Sequence, residues 1–181
     1  MPVEGPEGVE LRELDGVAVG AMIEELADVY VDARTEPTFA KDPLWKRESF
    51  VSRTRLQVGH EGFSLVAAYA EGTLVGFSFG FPIGPGRWFQ GDTEPPQEIL
   101  NATKFAIIEL DVRRAWQARG IASALFHRLL EGRPEEYGML GSLPGTRMRA
   151  VYERWGWRKV AEAAPGSGLP EIDTLVVVFP A

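Results

Sequence analysis

At 181 residues the chain has the length of one domain, and 45% hydrophobic residues suffice for a full core, which excludes disorder. A net charge of −7 argues against a nucleic-acid partner and suits a cationic or amine substrate. The absence of cysteine excludes disulfides, thiolate metal sites and a cysteine nucleophile, and fits a cytoplasmic location. No basic-then-apolar leader opens the chain and no apolar run approaches ~20 residues, so no membrane partner is expected.

Residues 1–8 carry two prolines and two glycines and are expected to be flexible. Val9 to Leu14 alternates as a half-buried strand does. Val19, Met22, Ile23, Leu26 and Tyr30 recur at helical spacing and predict one helix from Asp15 to Ala33. A second helix is predicted from Pro43 to Val58. Phe63 to Ala70 and Thr73 to Phe81 read as a hairpin turned at Glu71-Gly72.

Phe81 to Asn101 is rich in glycine and proline and carries Trp88 and Phe89. A loop of that length inside a compact domain is often functional, so residues 82–102 are expected to lie near the acceptor site. Trp45, Trp88 and Phe89 either line that site or pack beneath loops. Phe105 to Val112 is an apolar central strand, and Ile121 to Leu130 a helix. Strands are predicted at Tyr137–Leu143, Trp157–Ala163 and Ile172–Phe179, with a helix at Pro144–Trp155. This order is that of one α/β domain around a mixed, mostly antiparallel sheet of about seven strands flanked by about four helices.

The turn between the central strand and its helix, Gln117-Ala118-Arg119-Gly120-Ile121-Ala122, is built for an anion. The first N–H groups of a helix have no partner within it, and the macrodipole adds partial positive charge there. Gly120 permits close backbone approach, and Ala122 keeps bulk away. Arg119 adds a mobile cation, and Gln117 an amide. Arg113 and Arg114 either join them or are solvated.

The spacing Gln-x-x-Gly-x-Ala resembles the acetyl-CoA pyrophosphate loop of the GNAT superfamily of N-acetyltransferases. Ala150-Val151-Tyr152-Glu153-Arg154-Trp155-Gly156-Trp157 resembles the family's later helix-to-strand signature, with Trp157 where phenylalanine is usual. Gly145 stands where the family often has asparagine, so that contact is lost or passes to Thr146 or Arg147. The element order agrees with the GNAT fold from about residue 9 to 180.

The resemblance implies direct acetyl transfer from acetyl-CoA, as cosubstrate, to a primary amine, with no metal. It implies cosubstrate contacts at Leu110, Val112, Gln117, Ala118, Arg119, Gly120, Ile121, Ala122 and Ser123. Tyr152 matches the family's frequent general acid; the competing reading is a core tyrosine on the helix's apolar face. Glu109 interrupts an otherwise apolar strand, where a carboxylate is costly without work or a partner. It is the first candidate base, expected to act mainly on kinetics; the competing reading is an ion pair with an arginine. Asp111, two residues on and so on the same face, is the second, and a water chain the third. His60 and His127 read as surface residues. The expected acceptor is a small-molecule amine, with a protein lysine or N-terminus, or a CoA-binding domain without turnover, as alternatives. A homodimer is allowed for.

Overall fold

A computed structural model describes residues 5–180. Residues 1–4, half of the expected flexible stretch, lie outside the described residues, as does residue 181. Seven strands form one mixed sheet in the order β1-β2-β3-β4-β5-β7-β6. They are β1 (Val9–Leu14), β2 (Ser64–Ala70), β3 (Thr73–Ile83), β4 (Lys104–Val112), β5 (Tyr137–Ser142), β6 (Arg158–Glu162) and β7 (Asp173–Val178). β4 and β5 pair in parallel, whereas β1–β2, β2–β3, β5–β7 and β6–β7 are antiparallel. The helices are α1 (Gly16–Gly20), α2 (Ile23–Ala33), α3 (Arg47–Gln57), α4 (Gln97–Leu100), α5 (Ile121–Leu130) and α6 (Arg147–Arg154). The fold is α/β, with α2, α3, α5 and α6 as the longer helices.

The chain packs as two compact units, residues up to 81 with 109–131, and residues 82–108 with 132 onward. In the first, α2 buries Ile23, Leu26, Ala27 and Tyr30, one face at helical spacing. Tyr30 stacks on Phe50 at 4.3 Å, and Phe50, Phe77, Phe79 and Phe63 continue the aromatic core. α5 buries Ile121, Leu125, Phe126 and Leu129 and packs on β2. Glu71 and Gly72, at φ of 49° and 76°, make the mirror-image turn that matches strand twist in a two-residue hairpin.

Two predicted helices are interrupted. The span from Asp15 to Ala33 breaks after α1, which Asp15 caps through Oδ1 to the Ala18 N–H. Ala21 and Met22 then donate three residues back, to Ala18 and Val19, a tightening that ends α1 before α2 begins. The span from Pro43 to Val58 begins as a 3-10 turn, Pro43–Trp45, capped by Asp42. Lys46 is extended (ψ 151°), so α3 starts only at Arg47.

In the second unit, Ile99, Ala106, Met139 and Val176 form a core cluster with Trp88 and Phe89 packed against it. Residues 82–102 are less loop-like than their composition suggests. β3 runs on to Ile83, α4 occupies 97–100, and 91–93 attach to the end of β6. The Thr93 N–H donates to Glu162 O (2.8 Å), the Ala164 N–H to Gly91 O (2.8 Å), and the Thr174 hydroxyl to Asp92. Lys104, fully buried, donates from Nζ to the carbonyls of Ala102 (2.7 Å) and Leu100 (2.9 Å), neutralising the negative end of α4. Burial pushes its pKa down.

Candidate active site

The last residues of β4 separate two faces. Ile108 and Leu110 are half-buried, while Glu109 and Asp111 are 6% and 4% exposed. The two carboxylates share a face, as strand alternation requires. The β4–β5 ladder ends at the pair Ile107–Leu140, so β4 continues to Val112 beyond it.

Both carboxylates are held by arginines. Arg34, the residue after α2, donates from Nη2 to Glu109 Oε2 at 2.6 Å and from Nη1 to Asp111 Oδ1. Arg53, on α3, donates from Nη2 to Glu109 Oε1 and to the Tyr30 hydroxyl, both at 2.9 Å. The Ser78 hydroxyl fixes the strand by donating to Glu109 O at 2.8 Å. Arg34 lies over the Tyr30 ring at 3.7 Å, with Phe39 and Trp45 at 5.7 and 5.8 Å. Two guanidiniums thus balance two carboxylates in a largely dry cluster. Among the described residues, one acceptor and one donor of the cluster have no partner, Asp111 Oδ2 and the Arg34 Nε–H.

Burial pushes the Asp111 carboxyl up to about 7, with the Glu109 charge adding to the rise and Arg34 opposing it. Burial works against the charge on Arg34, but Asp111 and Glu109 outweigh it and hold the guanidinium charged. Burial raises the Tyr30 phenol, and the Glu109 charge raises it further.

Arg34 and Arg53 escaped the sequence analysis. The available signal was their spacing. Arg34 continues the Ile23-Leu26-Ala27-Tyr30 face of α2, and Arg53 neighbours the buried Phe50 and Thr54 of α3.

After β4 the chain turns through a 3-10 segment, Arg114–Trp116, to α5. Ala118 and Gly120 adopt left-handed φ values of 59° and 81°. Gly120 is the N-cap, so no side chain occupies the first N–H groups as serine or aspartate would. Among the described residues, the N–H groups of 118–123 make no hydrogen bond. The turn is exposed, and a Cβ on Gly120 would meet nothing nearer than 3.8 Å. The structure brings Ala118 through Ser123 together around these donors. The Gln117 amide holds the turn closed by donating to Val112 O at 2.9 Å. Arg119 lies over the Trp116 ring at 4.7 Å. Arg113 Nε donates to Leu74 O, while the Arg114 N–H donates to Asp32 and its guanidinium, largely exposed, lies 3.8 Å from the same carboxylate.

Tyr152 belongs to the other unit, where it is 8% exposed on α6 with its ring 6.2 Å from those of Trp155 and Trp157. The Thr146 hydroxyl, expected as a replacement for the missing asparagine, caps α6 at the Arg149 N–H and donates to Leu143 O. His60 is exposed and stacks on Phe81 at 4.1 Å. His127 is exposed one turn after Ser123, with Nδ1 2.7 Å from Ser123 O.

Residues 21–157 match the model of the acetyltransferase (GNAT) family. The chain is 29% identical over 119 residues to a GCN5-like protein acetyltransferase of Mycobacterium tuberculosis, covering 58% of this chain and 57% of that relative's length. A PaiA N-acetyltransferase of Thermoplasma acidophilum, solved with coenzyme A, superposes with a TM-score of 0.59 at 12% identity over 94% of this chain and 99% of that one. Arabidopsis thaliana NAA60, solved with a bisubstrate analogue, superposes with a TM-score of 0.62 at 18% identity over 95% and 99%.

Proposed function

Because the chain belongs to the acetyltransferase (GNAT) family, we propose that it moves an acetyl group from acetyl-CoA directly to the primary amine of a small molecule. The carrying observation is the run of N–H groups at 118–123 that have no partner among the described residues, in a turn exposed at 118–120 where α5 starts. These donors, with Arg119, would take the cosubstrate's pyrophosphate. Backbone groups of Leu110 and Val112 would meet the thioester end of the cosubstrate, which supplies the activated acetyl group. The new bond joins the amine nitrogen to the acetyl carbon as the carbon–sulfur bond breaks.

The amine must lose a proton to react. We assign that proton to the Glu109–Asp111 pair or to water in contact with it, and a carboxyl raised toward neutrality is matched to the task. The Tyr152 hydroxyl would protonate the departing sulfur, a role its place in the Tyr-Glu-Arg signature supports. The cysteine-free composition supports a cytoplasmic location.

A protein acceptor is the second reading, favoured by the Mycobacterium relative's description as a protein acetyltransferase. Thioester consumption should be followed with diffusible amines beside lysine-containing and free-N-terminal peptides. Turnover with amines and not peptides is the expected result. The reverse preference would move the acceptor to protein, and no turnover with either would overturn the reaction.

A further inference from the structure

The buried charge cluster does more than pair charges, because both of its arginines also touch residues 35–46. These residues run from α2 to α3 through two 3-10 turns, Pro37–Ala40 and Pro43–Trp45. Phe39 and Trp45 meet edge to face at 5.4 Å, and both rings lie near the Arg34 guanidinium. Arg53 Nη1 donates to Leu44 O at 2.9 Å, while its Nη2 holds Glu109. The Ser49 hydroxyl adds a bond to Pro43 O at 2.7 Å. The Phe39 N–H donates to Glu36 O at 3.0 Å at the start of the first 3-10 turn. The first half of the segment meets the charge cluster through the Phe39 ring, 5.7 Å from the Arg34 guanidinium.

We propose that residues 35–46 form a strap latched to β4 by Arg34 and Arg53, and that neutralising Asp111 releases it. The charge count gives the reason. Arg34 is shared between Asp111 and Glu109, and Arg53 also claims Glu109. With Asp111 neutral, two guanidiniums face a single carboxylate. Of the two, Arg53 keeps three hydrogen bonds, to Glu109, the Tyr30 hydroxyl and Leu44 O, whereas Arg34 keeps one, to Glu109, beside its contact with the Tyr30 ring. Arg34 is the one that leaves for solvent, and the Phe39–Trp45 pair loses the cation beside it.

The groups facing Asp111 are Arg34 and Tyr30 from α2 and its end, Arg53 from α3, and Glu109 on its own strand. Burial places the Asp111 carboxyl where ordinary changes of pH reach it. The strap is thus a pH-sensitive element, separate from whether acetyl transfer is the reaction.

Because the chain has no cysteine, Lys41→Cys provides one nitroxide position on the strap. Arg87→Cys, exposed in the other unit, is the control. The label at position 41 should be ordered at about pH 8.5, and its mobile fraction should rise at least about threefold by about pH 5.5. Asp111→Asn, the neutral isostere, should be mobile at both pH values, and the control should not respond. An unchanged spectrum at 41 across this range overturns the proposal. So does an Asp111→Asn strap as ordered as wild type at high pH, or an equal response at 87. Should Asp111→Asn not fold, the wild-type titration with its control decides alone.

Discussion

Glu109 illustrates how a single residue's surroundings redirect an expectation. Alone in an apolar strand it reads as a base whose amide variant would lose rate but little stability. In the fold both of its oxygens receive guanidiniums, and its side chain is 5% exposed. Glu109→Gln is therefore expected to destabilise the fold by about 3 kcal/mol, since removing one partner leaves the other buried charges uncompensated. Thermal unfolding measures this, and an unchanged melting temperature would restore the purely kinetic expectation. Gly120→Glu puts bulk and negative charge beside the N–H groups of 118–123, at a φ of 81° that side chains rarely adopt. Calorimetry should show coenzyme A affinity falling at least about tenfold, or ~1.4 kcal/mol, in a variant shown to be folded. Tyr152→Phe keeps the packed ring and removes only the hydroxyl. Turnover should fall on the order of 10²-fold with coenzyme A binding intact; a rate within about twofold of wild type would return Tyr152 to a packing role.

Elements begin and end where local chemistry dictates. α6 starts at Thr146, whose Oγ1 accepts from the Arg149 N–H at 3.2 Å, and this helix carries Tyr152. Thr146→Ala should cost about 1 kcal/mol, the usual value of a side-chain N-cap, and chemical denaturation would read it. A loss well beyond that would mean that the bond to Leu143 O matters more than the cap. At α5 the logic is inverted. A glycine cap forgoes that stabilisation and leaves the first N–H groups without a side-chain cap, the arrangement expected of a helix that binds through its N-terminus. Residues 82–102 show the limit of composition as a guide. Glycine and proline announce irregular backbone, yet Asp92 and Thr93 fasten that backbone to β6 and β7.

For the whole molecule, Asp111 ties stability to pH. Its folded pKa lies above the ordinary carboxylate value of about 3.9, so the native state holds a proton that the unfolded state has released. The associated stabilisation is complete below about pH 4 and is lost as pH rises toward about 7. Asp111→Asn removes this dependence. The melting temperature of the wild type, less that of the variant, should therefore fall over this range by at least about 2–4 °C, corresponding to ~1 kcal/mol. A constant difference across the range would mean that Asp111 is already ionised throughout.

The amino-acid sequence determined the parts of this protein that depend on near neighbours. The seven strands, the Glu71-Gly72 hairpin and the glycine-capped turn before α5 all arise from alternation, helical spacing and glycine placement over a few residues. The shared face of Glu109 and Asp111 follows from strand geometry alone. Only the tertiary structure decided what that face meets. Arg34 and Arg53 reach Glu109 across 75 and 56 residues of chain, separations at which no local pattern operates. It also decided that Gln117 holds the turn together, and that Trp88 and Phe89 pack on a core. Those partners are selected by burial, because a charge or ring leaving water must find its complement among whatever groups the fold has already brought near.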